Sequence, residues 1–398
     1  MSVVVIALSA ACAGPPDGRD QAASQTCDDP LAAVEIALED RIEPVYARNF
    51  EIRYGEGYKH VVIRAPWGKA NDIATAFESS SFYLVDCDRP LPDLPEDANT
   101  IRIPPARVAT TSTTQIPHFV SLDVVDRLAG HNRLDFIYDP TVRARVEAGE
   151  IVEIGDGVRL NPESLIELQP DLVIATTIGN PDLNALGVLE RVGAPTAIDA
   201  AFMEATPLGR AEWIKLVAAF FNREAEANAV FDDIAAHYEE LRSIAAAQHN
   251  RPRVLVGTPF QGTWHVSGGD GYQAKLIADA GGDYLWSDEG TRGALSLDFE
   301  TVYAVGLEAD VWLHAYGWQS LAAGLRSDVR MGDFAAFREG RVYSNDTRIS
   351  EGGGNDYWET GSLRPDVILA DLVAILHPDA LPDHELVFHR RLAPNDAD

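Results

Sequence analysis

From Pro207 to about Ala247 apolar residues recur at helical spacing, with one break at Asn222 that separates "PLGRAEWIKLVAAFF" from "REAEANAVFDDIAAHYEELRSIAAA". At 1.5 Å per residue the second piece predicts a helix of roughly 37 Å. A helix this long, in the middle of a chain whose flanks alternate strands and helices, acts as a strut between two α/β bodies.

The flanks carry one unit twice. In "NPESLIELQPDLVIATT" (161–177) Asn161 is a good N-cap, Pro162 fits the first helical position and Glu163 sits in the first turn. After Pro170 a continuously apolar run reads as a strand buried on both faces. "LDFETVYAVGLEADVWLHAY" (297–316) repeats the order: a cap-like polar residue, first-turn Glu300, an apolar helical turn, then Asp310 before a buried strand, where the first copy has Asp171. A helical run over 181–192 and the strand "PTAID" follow the first copy. "RVLVGTPF", "TWHVSG" and the helix "GYQAKLIADAGG" with its glycine stop precede the second. Upstream, "NFEIRYGEGYKHVVIRAPW" (49–67) alternates around Gly-Glu-Gly as a β-hairpin. Residues 80–87 and 100–113 read as strands, 116–130 as a helix, "RLDFIYDP" as a strand and 140–150 as a short helix. The expected fold class is α/β: two Rossmann-like lobes joined by one long backbone helix, with an extra N-terminal β-hairpin element. The first lobe covers 27–205 with its β extension at 49–87, the linking helices 206–248 and the second lobe 249–398.

The chain has 62 acidic and 32 basic residues, for a formal charge of −30, and its only lysines are Lys59, Lys69, Lys215 and Lys275. Such a surface repels nucleic acid and anionic lipid headgroups and suits a high-salt medium that screens self-repulsion. Residues 2–11, "SVVVIALSAA", are too short to span a bilayer and have the character of an export signal. "LSAAC" resembles a lipoprotein cleavage box with Cys12 as the lipidated N-terminus, so that 1–12 is the signal and 13–26 a flexible tether. No basic residue precedes the run, and Ser9 stands where a branched aliphatic is usual. An exported chain left with Cys27 and Cys87 is expected to bridge them.

Two α/β lobes on a rigid helix, in an exported chain, resemble the helix-linked (class III) periplasmic substrate-binding proteins that serve ABC importers of ferric siderophores, haem and cobalamin. The motifs are "NPESLIELQPDLVIATT", with its Glu-bearing helix, Gln-Pro-Asp and apolar strand, "GRAEWIKLVAAFFNREAEA", "IADAGGDYLW" and "ADVWL"; the likeness spans roughly 101–378. The resemblance implies a monomeric binding protein with no catalysis and no cofactor, periplasmic or cell-surface, touching the membrane only through a lipid anchor. Its ligand would be a small-molecule metal chelate, and its partners an ABC permease and the ATPase that drives it. An iron chelate of siderophore type heads the ligand classes, with cobalamin or haem close behind and a bare metal ion as a further alternative. The resemblance also places Glu163 and Glu300 in Arg pockets of the permease. A carboxylate in a first helical turn is favoured by the dipole and accepts a bidentate Arg, although first-turn acids are common in any helix.

The ligand cleft is expected between the lobes, where loops leave the carboxyl ends of the strands. The first lobe offers "TTSTTQIPHF" (110–119), with Thr113 and Thr114, and "TIGN" (177–180); the hairpin region adds Tyr58 and Trp67. The second offers Trp264, Tyr316, Trp318, Arg348 and, in "GGGNDYWETGSLRPD" (352–366), Asn355, Tyr357 and Trp358. Aromatics at strand ends can stack on a flat or greasy chelate. Arg210 faces either a ligand carboxylate or Glu204 or Glu212. No Gly-x-Ser-x-Gly elbow, phosphate loop or zinc spacing supports an enzyme, and a pair of carboxylates says nothing in so acidic a chain. His377, His384 and His389 lack i, i+4 spacing on a helix and read as surface or loop residues, and no metal site is expected.

Overall fold

Thr206 accepts the Gly209 N–H and Pro207 opens the first linking helix, Pro207–Ala211; Ile214–Ala219 follows. Asn222, at φ +54°, ends that run, and Glu224–Ala246 continues as a helix of 23 residues. The computed structural model describes residues 29–32, 34–64, 80–157, 159–176 and 185–396. In it the long helix buries Ala227, Phe231, Ile234, Tyr238, Leu241 and Ala245, a single stripe at spacings of three and four. The stripe packs on Pro365–Leu376, a helix buried on nearly every side.

Before the lobes comes a four-stranded sheet, larger than the hairpin expected. Strands β1 (Phe50–Gly55) and β2 (Tyr58–Ile63) form the hairpin, with Gly57 at φ +78° in the turn. β3 (Ser80–Asp86) pairs antiparallel with β2, and β4 (Thr100–Ile103) parallel with β3. The inner face, alternating along β2, lies on the linking helices through Phe50 against Trp213 and Phe82 against Phe220. Lys59, buried in that contact, reaches Glu224 at 2.5 Å, the Ala219 carbonyl at 2.8 Å and Asn222 Oδ1 at 2.6 Å. Ahead of β1 the backbone N–H groups of Val45, Tyr46 and Ala47 donate to Glu212, and those of Arg48 and Asn49 to Glu204. Cys87, just past β3, is disulfide-bonded, while Cys12, Cys27 and residues 1–26 lie outside the described residues.

The first lobe is an all-parallel sheet in the order β7-β6-β5-β8-β9: β5 (Val108–Thr110), β6 (Leu128–His131), β7 (Val152–Glu153), β8 (Leu172–Thr176) and β9 (Thr196–Asp199). Two expectations shift here. The stretch 100–113 is split between β4 and β5 by the Pro104–Pro105 break, and the two halves serve different sheets. The helix from 116 stops at Ser121, and its strand is Leu128–His131 rather than "RLDFIYDP", which forms a short turn over Leu134–Phe136. Asp123 at φ +54° ends the helix. Gly130 gives the new strand little sequence signal, and it is closely covered: a Cβ there would meet the tip of the Leu168 side chain at 2.6 Å.

In the second lobe the strands are β10 (Arg253–Val256), β11 (Pro259–Phe260), β12 (Thr263–Ser267), β13 (Asp283–Tyr284), β14 (Ala294–Leu297), β15 (Val311–Leu313), β16 (Tyr343–Ser344) and β17 (Arg390–Arg391). The parallel sheet runs β13-β10-β15, and β11-β12-β14 form an antiparallel annex. The repeated sequence unit is one structure used twice. Asn161 caps Pro162–Leu168 ahead of β8, and Asp298 caps Phe299–Gly306 ahead of β15. The repeated aspartate also has a reason. Asp171 accepts the Ala106 and Arg107 N–H groups, and Asp310 that of Arg253, so each fastens its strand to the start of the neighbouring one. No helix among the described residues is long and apolar enough to cross a membrane.

Candidate functional site

In each lobe the chain begins at a central strand and then departs to both sides, from β5 to β6 and β8, and from β10 to β13 and β15. The crevice at such a switch point, beyond the carboxyl ends of the strands, is where parallel sheets hold ligands.

At the first lobe's switch point Thr111 to Gln115 leave β5 in a capping box, with Ser112 accepting the Thr114 N–H. Gln115, buried and not anticipated, accepts the Thr111 and Ser112 N–H groups. Its Nε2 donates to Thr176 Oγ1 at 2.9 Å and Asp199 Oδ2 at 3.0 Å. One amide thereby fastens three strand ends. Thr113 and Thr114 are half-buried on this loop, and the Thr114 carbonyl accepts from Ser362 Oγ of the other lobe at 3.0 Å. Trp67 and the loop 177–180 lie outside the described residues. Tyr58 stands at the hairpin turn, edge-on to Tyr83, as part of the extra sheet.

At the second switch point an open pocket of about 530 Å³ is bounded by Thr258, Pro259, Phe299, Tyr316, Trp318 and Arg330. Tyr316 is 47% exposed and Trp358 is 40% exposed, and the Trp358 indole N–H donates to Tyr316 Oη at 2.7 Å. Among the described residues Phe260, at the tip of the annex, is the other large exposed aromatic of the second lobe, and its place after a Pro in a two-residue hairpin strand is the available signal.

Several expected ligand residues are core instead. Trp264 is fully buried, stacked on Trp312 and donating to the Val256 carbonyl, because the two-residue period of β12 turns it and Val266 inward. Tyr357 is buried between His314, His389 and Phe388, directly beneath Trp358. Trp318 packs edge-on against Trp312 and shows only a margin to the pocket. Asn355 is a loop staple, accepting the Tyr357 N–H and donating to the Asn345 carbonyl. Arg348 is ion-paired with Asp356 at 2.7 Å and lies over the Tyr138 ring of the first lobe.

The loop 350–362 carries much of the contact between the lobes. Ser350 Oγ donates to the Asp135 carbonyl, and Glu359 accepts the Tyr138 and Asp139 N–H groups at 2.8 Å each. A Cβ on Gly354 would fall 1.7 Å from the Phe136 carbonyl oxygen, so only glycine permits this approach. Burial, with Asp356 and Asp139 nearby, pushes the Glu359 carboxyl up to about 7.

Arg210 sits where the linking helices meet both lobes. It does not pair with Glu204 or Glu212, whose oxygens are taken by the N–H groups of residues 45–49. Its Nη2 donates to the Phe202 carbonyl, its guanidinium lies 4.0 Å from the Tyr272 ring centroid, and its buried Nε has no partner. Desolvation lowers its pKa, so an approaching anion is welcome there. Glu163 and Glu300 are exposed in the first turns of their helices, and Arg330 approaches Glu300 at 3.5 Å. The three C-terminal histidines are not surface residues alone: His389 and His377 are buried, and His384 donates to Asp371. Among the described residues no group of three His, Cys, Asp or Glu is arranged to hold a metal ion.

A family model described as periplasmic binding protein matches residues 108–349. A lipoprotein of Methanocaldococcus jannaschii, itself uncharacterized, is 26% identical over 321 residues, covering 77% of this chain and 75% of its own. Among solved structures, a periplasmic heme binding protein from Pseudomonas aeruginosa superposes with a TM-score of 0.55 at 19% identity, over 74% of this chain and 99% of that one. CeuE of Helicobacter pylori, as a Ni-His complex, gives 0.56 at 17% identity, over 77% and 88%.

Proposed function

This chain belongs to the periplasmic binding protein family, and from that premise we propose that it captures an anionic metal chelate, of siderophore type, between its lobes for an ABC importer. The family binds substrates and does not transform them. The observation that carries the ligand class is Arg210, a guanidinium between the lobes with one carbonyl, one ring and no carboxylate partner among the described residues. A cation so placed favours a ligand oxygen anion, while Tyr316, Trp358 and Phe260 offer an aromatic edge to a flat chelate. The heme-binding neighbour supports haem as the second reading, since haem is also a flat anionic chelate.

Lipoprotein relatives support Cys12 as an anchor on the outer side of the membrane. Glu163 and Glu300, exposed on the rim that carries the strand carboxyl ends, are the proposed contacts with arginines of the permease.

Tryptophan fluorescence titration with an anionic ferric siderophore, haem, cobalamin and free ferric ion tests the reading. Saturable quenching by the ferric chelate is expected, weakened more than tenfold in Arg210→Ala, as loss of a desolvated charge pair costs ~2–5 kcal/mol. Binding of cobalamin alone, or equal affinity in the variant, refutes the assignment.

A further inference from the structure

Beneath the exposed Tyr316 and Trp358 lies a buried chain of polar groups drawn from four parts of the second lobe. Gln273 Nε2 contacts His314 Nδ1, His314 Nε2 is 3.3 Å from His389 Nε2, and His389 Nδ1 is 3.0 Å from Asp371 Oδ2. The two imidazoles meet end to end: their planes differ by 14° with centroids 5.4 Å apart. Asp371 is saturated with donors, accepting also from His384 Nε2 and from the N–H groups of Val387, Phe388 and His389.

One arrangement of protons satisfies all of these contacts with both rings neutral. Asp371 is a carboxylate acceptor, so His389 carries its hydrogen on Nδ1 and accepts at Nε2. In it His314 donates from Nε2 and accepts at Nδ1 from the Gln273 amide. Every bond then points the same way. A proton added at His389 Nε2 would oppose the His314 N–H, and one at His314 Nδ1 would oppose Gln273 until that amide turned over. Burial holds His314 well below the usual imidazole range. Burial alone would raise Asp371, but its donors, His389 first, hold it lowered.

The relay adjoins both exposed aromatics. His314, at φ +55°, a conformation uncommon for any residue but glycine, sits two residues before Tyr316, whose N–H donates to the His314 carbonyl. Tyr357 rests edge-on against both imidazoles and directly precedes Trp358. The other groups facing the pair are His384, through Asp371, and Tyr272 and Arg210, which act on Tyr357.

We infer that Gln273, His314, His389 and Asp371 are positioning residues that hold the Tyr316–Trp358 edge in its binding geometry, through a directional relay that exists only while both imidazoles are neutral. Acidification breaks the relay and loosens that edge. The role of the edge rests on the proposed function, but the relay itself can be tested without ligand.

Nitrogen-15 NMR of the histidines in the full chain, assigned with His314→Gln and His389→Gln, should show both rings neutral at neutral pH, His314 protonated on Nε2 and His389 on Nδ1. A charged ring, or the same tautomer in both, overturns the inference. The second measurement is acrylamide quenching of Trp358, isolated by subtracting the Trp358→Phe variant. His389→Phe keeps a ring but removes both bonds, and should raise the quenching about twofold. His389→Gln can accept from His314 and donate to Asp371, and should restore the wild-type value. Wild-type protein should show the same rise at the pH where His314 protonates. Quenching unchanged in His389→Phe, even with lowered stability, reduces the relay to core packing and refutes its positioning role. Failure of every ligand to bind with the NMR pattern intact would refute the chelate reading alone.

Discussion

Glu359→Gln should abolish a pH dependence that the wild-type fold carries between its lobes. Glu359 is 1% exposed and accepts two N–H groups from the first lobe, and burial moves its carboxyl from 4.5 to about 7. A carboxyl raised on folding stays protonated in the native chain after the unfolded chain has released its proton. The native state therefore binds more protons through this window, and its contribution to stability falls as pH rises from 4.5 to about 7. The size follows from 1.36 kcal/mol per pH unit, about 3 kcal/mol over the whole window. Glutamine is neutral throughout and keeps one carbonyl acceptor, so the variant should lose this slope. Urea unfolding followed across the window checks it: the difference in stability between wild type and variant should change by about 3 kcal/mol from the acid to the neutral end. A constant difference at all pH values would mean that Glu359 is ionised in the native state much as in the unfolded one, and the reasoning would fail.

Glu212→Ala leaves the N–H groups of Val45, Tyr46 and Ala47 and the buried Lys215 ammonium without their acceptor. A loss of ~3–5 kcal/mol in urea unfolding is expected, with faster tryptic cleavage at Arg48. Gly354→Ala drives a methyl group into the Phe136 carbonyl and should cost about 1–3 kcal/mol, read as a lowered Tm. Trp358→Ala and Tyr357→Ala should separate cleanly in ligand titration and thermal unfolding. The exposed Trp358 should cost ~1 kcal/mol in chelate affinity with stability nearly unchanged, and the buried Tyr357 ~3–5 kcal/mol in stability.

The adjacent pair Tyr357 and Trp358 shows where sequence reasoning stops. Both were candidate ligand walls from a glycine-rich loop, yet one is core and the other exposed, because the backbone turns at Asn355 and buries only one of them. Trp264 failed differently. It lies in the strand that "TWHVSG" predicts, but the parity of β12 aims the indole inward. The relay histidines gave no local sign at all, since His314 and His389 are 75 residues apart and each alone looks like a loop residue.

What the sequence determined by itself was the long linking helix, the repeated unit and most of the order of elements. Caps, first-turn prolines, apolar periods of two and of three to four, and the break at Asn222 act within a few residues of chain, where dihedral preferences and side-chain faces are set. Tertiary structure alone decided which polar groups became buried and what satisfied them. Glu204 and Glu212 went to backbone N–H groups some 155 to 167 residues away, leaving Arg210 without the carboxylate the sequence had offered it. A buried polar group must find a partner wherever the fold brings one, and that distance in space has no expression in distance along the chain.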